Sequence, residues 1–252
     1  MSRTLIWDGL ENVRDLGGLP TEDGATTRFG VIVRADNVRR LRSLQTLVDH
    51  GVIRVVDLRF PWELDEDALD ALPVEVVHVS LLGEWDDDYR KALEARMTQT
   101  DAPGYLRWSY LEFLDRFRVN FGAAVHEIAS APLGTVCVHC VGGRDRTGLV
   151  SALVLRLAGV SVEEVARDYA ESEERLAASH ALWVAAAPDA EERARRLVFA
   201  QAPATVMADV VGEIERRHGS VHGYLIAAGV SPDALRGLRA RLRGDGQPNV
   251  NE

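Results

Sequence analysis

Residues 135–160 read TVCVHC, then VGGRDRTG, then LVSALVLRLAGV, and no other stretch limits the possible folds as strongly. Residues 135–140 form a β-branched, apolar run of strand length, and Gly148 to Val160 has the length and apolar content of a buried helix. A strand apolar on both faces belongs to a parallel sheet covered on both sides. Between strand and helix lies His139-Cys140-Val141-Gly142-Gly143-Arg144-Asp145-Arg146-Thr147-Gly148. Its adjacent glycines permit a tight curve, so the backbone N–H groups of Val141, Gly142, Gly143, Arg144, Asp145 and Arg146 face one point at the positive end of the helix. That is an anion site of phosphate size. Cys140 stands at its mouth, where the helix end and Arg146 favour the thiolate. Arg146, six residues further on, curls back to grip two phosphate oxygens with its planar fork. His139 fixes the loop through its ring nitrogens. Thiolate, amide cradle and arginine clamp together form an in-line phosphoryl-transfer site.

The rest of the chain fits around such a unit. Residues 41–50 read as a helix closing at Gly51, and 52–58 and 74–80 as two further buried strands. A polar helix is expected over 86–99. A single longer one is expected over 104–130, with Tyr110, Phe113, Leu114, Phe117 and Phe121 at core spacing. Beyond Ser161, which with Glu164 makes a capping pair, helices are expected over 161–171, 173–186, 189–199, 204–218, 220–228 and 232–243. Strands early and helices late predict an α/β fold: a parallel-type central sheet flanked by helices, with a helical C-terminal part. Residues 1–243 read as one domain and 244–252 as a disordered tail.

Charge and cysteine usage remove several function classes. With 39 acids against 29 bases, the net charge of −10 repels nucleic-acid backbones, although it leaves room for a basic pocket in an acidic shell. No apolar stretch is long enough for a transmembrane helix, and Asp8 interrupts the start before a signal-peptide core can form. Two cysteines, Cys137 and Cys140, make no disulfide framework and suit a cytoplasmic enzyme, with export lacking a signal peptide left open. Cys137, His139 and Cys140 crowd too closely for a zinc site, so no metal and no cofactor is expected. Cys137 reads as core packing, with a redox role beside Cys140 as the alternative.

The loop resembles the His-Cys-x5-Arg-Ser/Thr signature of the protein-tyrosine-phosphatase superfamily, and its longer form resembles the bacterial group with His-Cys-x-x-Gly-Lys-Asp-Arg-Thr-Gly. That group has dual-specificity, triple-specificity and phosphoinositide-phosphatase members. Asn12-Val13-Arg14-Asp15-Leu16-Gly17-Gly18, Val33-Arg34-Ala35, Val56-Asp57-Leu58-Arg59 with Glu63, and Asp168-Tyr169 look like its other landmarks. Arg144 stands where that group has lysine.

The resemblance implies a phosphatase fold over nearly the whole chain, a phosphorylated protein or phosphoinositide as substrate, and a thiophosphate on Cys140. It implies that Thr147 stabilises the departing thiolate, against a helix-start hydrogen bond as the alternative. It assigns the general acid to Asp145 ahead of Asp86 or Glu84. The last two lie in Gly83-Glu84-Trp85-Asp86, loosely like a mobile Trp-Pro-Asp loop but also like a solvated helix start. Asp145 alternatively shapes the loop by a salt bridge, and Asp57 with Arg59 reads as a buried ion pair at a strand end. The helix near 86–99 is part of a lid or a plain surface helix. A phosphate-binding protein without turnover is the rival from another class.

Overall fold

The computed structural model describes residues 2–64 and 72–244. Five strands form one sheet: β1 (Arg14–Asp15), β2 (Ile32–Ala35), β3 (Val52–Asp57), β4 (Glu75–His78) and β5 (Thr135–His139). Their order is β1-β2-β5-β3-β4, with β1 antiparallel to β2 and the other pairings parallel. β5, last in the chain, is therefore central, and the loop that follows it leaves the carboxyl edge between β2 and β3. In open α/β sheets this crevice is where ligands bind.

Alternation along β5 divides the interior in two. Val136 and Val138 face a large core with Ile32 and Val56, and Cys137 faces a smaller one with Val33, Ala35 and Val55. The smaller core is closed by Trp7, Val38, Leu41 and Leu47 from the N-terminal segment and from α1 (Gln45–Asp49). The large core is built by α3 (Ala102–Arg116), α4 (Arg118–Ser130), α5 (Asp145–Ala158), α6 (Val162–Arg175), α9 (Ala204–His218), α10 (Val221–Ala227) and α11 (Pro232–Arg243). Around them lie α2 (Asp87–Gln99), α7 (Ala177–Ala185) and α8 (Ala190–Phe199).

The α/β architecture agrees with the sequence, and several boundaries move. β1 and β2 were not foreseen: β2 is four residues long and carries a fully buried arginine, which hides an apolar strand. The helix expected over 41–50 shrinks to α1, because Leu41 is extended and the Arg42 amide bonds the Asp8 carbonyl. The single helix over 104–130 breaks at Phe117, whose carbonyl instead accepts from the Asn120 and Phe121 amides as α4 begins. α5 starts at Asp145, inside the glycine loop, and not at Gly148. Gly244 ends α11 in a left-handed conformation, and the rest of the tail read over 244–252 lies outside the described residues.

Close helix packing makes one glycine testable. A Cβ on Gly122 in α4 would lie 2.1 Å from the Ala228 carbonyl oxygen, whereas Gly212 in α9 faces open space. Gly122→Ala should lower stability by roughly 1–3 kcal/mol through overpacking. Gly212→Ala should raise it by up to about 1 kcal/mol through helix propensity. Urea midpoints at unchanged m-value measure both.

Candidate active site

The loop after β5 is shaped by where its carbonyls go. The Cys140 carbonyl takes the His139 Nδ1 proton (3.0 Å), and the Val141 carbonyl accepts from the Asn37 amide (3.0 Å). The Gly142 carbonyl accepts from Asn12 Nδ2 (2.9 Å), and the Gly143 carbonyl from an Arg34 guanidinium nitrogen (2.7 Å). In a trans peptide the next N–H points opposite to each carbonyl. Anchoring four consecutive carbonyls outward therefore turns the N–H groups of Val141 to Arg144 inward. Among the described residues no acceptor takes the N–H groups of residues 141–146. Gly143 has φ +65°, and a Cβ there would lie 2.5 Å from the Ala35 carbonyl oxygen, so the curve needs glycine at this position.

Buried charges hold two of those anchors. Asp168 on α6 bonds Arg14 (3.0 Å) and Arg34 (2.6 Å) and is also paired with Arg3. Arg14 in turn holds the Asn12 side-chain oxygen (2.6 Å), which aims the Asn12 amide at Gly142. Burial alone would raise the Asp168 carboxyl, but the Arg14, Arg34 and Arg3 charges overrule it and hold it far below the usual range. Burial and the neighbouring Arg34 lower Arg14 to about 10. Behind the loop, Asp57 and Arg59 form a buried pair (2.9 Å), and Asp57 lies 3.5 Å from His139 Nε2. Burial keeps His139 below its ordinary pKa despite Asp57, so its bond to Cys140 fixes the proton on Nδ1.

Cys140 is only 3% exposed. Arg146, on the first turn of α5, donates to both oxygens of Glu63 (2.5 and 3.0 Å), and its guanidinium lies 4.9 Å from the Phe60 ring centroid. Burial opposes its charge, but Cys140, Glu63 and Asp145 more than compensate and raise it. Thr147 is buried with its hydroxyl unpaired among the described residues.

Asp145 is tied on both oxygens. Arg144 holds it bidentately (3.0 and 2.9 Å), and the Tyr110 hydroxyl, itself bonded to the Tyr169 hydroxyl (2.8 Å), donates to it. Burial would raise this carboxyl, but Arg144, Tyr110 and Arg146 outweigh it and keep it below the usual range. This is the setting of a fixed carboxylate that shapes the loop. Asp86 caps α2 through the Tyr89 amide (2.7 Å) and pairs with Arg116 (2.9 Å), and these contacts lower it as well. Glu84 is exposed.

A cavity of about 590 Å³ opens beside Arg146 and Asp145, walled by α2, α3 and α8. Phe60, Trp85, Tyr110 and Phe113 line the end next to Arg146, and the Trp85 and Phe60 rings meet edge to face at 5.2 Å. The residues read over 86–99 thus form a wall of this cavity. Cys137 and Cys140 pack into different cores on opposite faces of the sheet, which leaves Cys137 as packing. Glu63 had been visible only as a landmark. Tyr110 had been visible only as a core position, and Phe60 and Asn37 carry no local sequence signal, since each reaches the site through the tertiary fold.

A mostly parallel sheet whose central strand feeds an amide-lined loop beneath an arginine is the architecture of a phosphate-ester hydrolase. The sequence pattern of the tyrosine phosphatase family matches residues 5–244, and the chain belongs to that family. It is similar to the tyrosine-protein phosphatase of Nostoc commune, 28% identical over 222 residues, covering 75% of this chain and 73% of the relative. It is also similar to the triple specificity protein phosphatase PtpB of Mycobacterium tuberculosis, 28% identical over 237 residues, covering 86% and 84%. The protein is a phosphatase. No single helix among the described residues is long and apolar enough to cross a membrane.

Removing the central carboxylate tests the network. Asp168→Asn leaves Arg34 buried without a counter-charge and Arg14 with only the partly exposed Glu171 at 3.6 Å, and should cost about 3–5 kcal/mol of stability. Because its folded pKa is depressed, Asp168 contributes fully above about pH 4, where an unfolded aspartate is ionised, and the contribution drains away as pH falls further. The urea midpoint of the wild type should therefore fall more steeply below pH 4 than that of the variant.

Proposed function

We propose that this phosphatase uses Cys140 as nucleophile on phosphotyrosine in proteins. The observation that carries the reading is the ring of inward amides around Cys140, next to Arg146 and the aromatic end of the cavity. A phosphate dianion in that ring meets the loop N–H groups and the start of α5. Of the five guanidinium donors of Arg146, two go to Glu63, leaving an edge that can grip phosphate oxygens. Glu63 and Phe60 then set the plane of that edge. The Cys140 sulfur attacks phosphorus, the S–P bond forms as the P–O bond to the phenol breaks, and a proton goes to the phenolate oxygen. Water next attacks phosphorus, releasing phosphate and restoring the thiolate. The unpaired Thr147 hydroxyl supplies a hydrogen bond to that departing sulfur.

Two features favour phosphotyrosine over a phosphoinositide. A phenol ring beside Arg146 would have Phe60, Trp85 and Phe113 as aromatic neighbours on the cavity wall. A second phosphate next to the first would meet Arg144, which is buried and clamped on Asp145; of the arginines further along the cavity wall, Arg195 is paired with Glu192 and Arg90 is exposed. The clamp also argues against Asp145 as the proton donor. Trp85 lines the cavity, and we assign the proton donor to its flanking carboxylates, Asp86 first and Glu84 second; to act, Asp86 must give up its bonds to the Tyr89 amide and Arg116.

The test is phosphate release from para-nitrophenyl phosphate, a phosphotyrosine peptide and a phosphoinositide. Cys140→Ser should lose roughly 10³-fold or more on every substrate the wild type turns over, and the peptide should be the preferred substrate. Equal inactivity of folded, reduced wild type would leave a phosphate-binding site without turnover.

Proton donation is tested separately. Asp86→Asn should lower kcat on the phosphotyrosine peptide by roughly 10²–10⁴-fold, and much less on para-nitrophenyl phosphate, whose leaving group needs no proton. The same leaving-group selectivity in Glu84→Gln or Asp145→Asn, and not in Asp86→Asn, would move the role there.

A further inference from the structure

The cavity is longer than a phosphotyrosine requires. Its lining runs along α2 from Arg90 to Thr98 and along α3 from Tyr105 to Phe113. Eight helical steps span about 12 Å. The two ends are distinguishable. Phe113 stacks near Trp85, which meets Phe60 beside Arg146, whereas Tyr105 contacts Phe199 of α8 and shares its end with Met97 and Val198. The trough thus leads away from the phosphate-gripping arginine over an apolar floor of Met97, Tyr105, Val198 and Phe199, with the exposed Glu94, Thr98, Glu191 and Arg195 along its rim. A tyrosine side chain covers about half of that length before its backbone begins. Peptide N–H and C=O groups pressed onto Met97, Val198 and Phe199 would meet no hydrogen-bonding side chain on that floor, which disfavours a peptide there. A hydrocarbon chain has no such groups.

We infer that the far half of the trough is a binding site for the straight apolar chain of a phosphate monoester, so that the same catalytic centre also accepts phosphate esters of long-chain alcohols. The inference rests on the Cys140 reading for turnover but not for binding. In the reaction the alkyl P–O bond breaks as S–P forms, the acid protonates the alkoxide, and water completes the cycle as for the aryl ester. A C–C bond of about 1.5 Å at a tetrahedral angle advances roughly 1.25 Å, so the trough holds about nine methylenes. Each buried methylene strengthens binding by roughly fourfold.

The experiment measures inhibition of para-nitrophenyl phosphate hydrolysis by linear alkylphosphonates of increasing length, each below its micelle concentration. These probes have no leaving group, so the identity of the acid does not enter. The inhibition constant should fall severalfold per methylene and level off near nine or ten carbons. The ratio between long and short probes should collapse in Ala194→Trp or Val198→Trp, which project an indole into the middle and the far end of the trough. Wild-type turnover with a length-independent constant overturns the inference while leaving the phosphatase reading intact. So does an unchanged ratio in both tryptophan variants, or a flat alkyl series alongside phosphopeptides that gain from a bulky apolar neighbour. If para-nitrophenyl phosphate is not hydrolysed at all, the Cys140 reading fails instead, and calorimetric binding of the same phosphonates, with the same expected dependence on length, decides the cavity.

Discussion

Everything at the site depends on which way four peptide carbonyls point. Peptide planarity couples each carbonyl to the next amide, so outward anchors at residues 140, 141, 142 and 143 are the same statement as inward donors at 141, 142, 143 and 144. The anchors are heterogeneous: a neutral histidine, a backbone amide, an asparagine and an arginine. They come from the strand itself and from the N-terminal third of the chain. A loop of this kind has no hydrophobic contact strong enough to hold its curvature. Its shape is set by hydrogen bonds, three of whose four partners, Asn12, Arg34 and His139, are buried.

That arrangement explains an otherwise expensive interior. Arg14, Arg34 and Asp168 are almost fully removed from water, and burying such charges is unfavourable unless each is paired and hydrogen-bonded. Here the pairing is dense: Asp168 meets two buried arginines, and these extend to Asn12, Ser172 and the Gly143 carbonyl. An apolar substitute of similar volume would pack as well but could not aim a carbonyl. On the other side of the loop, the Arg144–Asp145–Tyr110–Tyr169 chain performs the same service for the start of α5.

Much of this was legible from residue order. The β5–loop–α5 unit, the cradle, Cys140 and Arg146 follow from a β-branched run, adjacent glycines and a helical run in succession, and the later helices declare themselves by spacing and caps. What stayed hidden is informative. β2 could not be read because Arg34 interrupts its apolar pattern, and that arginine is tolerated only through a carboxylate 134 residues away. The break at Phe117 carries no glycine or proline, since packing and not propensity divides α3 from α4. Sequence left Asp145 open between proton donor and loop-shaping salt bridge, and its partners Arg144 and Tyr110, the second of which lies 35 residues earlier, come from the fold. Local patterns announce backbone shape, whereas protonation and orientation are decided by neighbours that only the fold supplies.

The strand order has a consequence for how the protein comes into being. As the chain emerges from the ribosome, β2, β3 and β4 appear well before β5, which must then insert between β2 and β3 and pair with both at once. Until residues 135–139 are available, the inner edges of two buried strands have no partner. Even after insertion, the loop lacks the carboxylate on α6 that holds Arg34 in place. Cys140 is thus made before its cradle can form, and this loop is among the last parts of the sheet to be completed during synthesis.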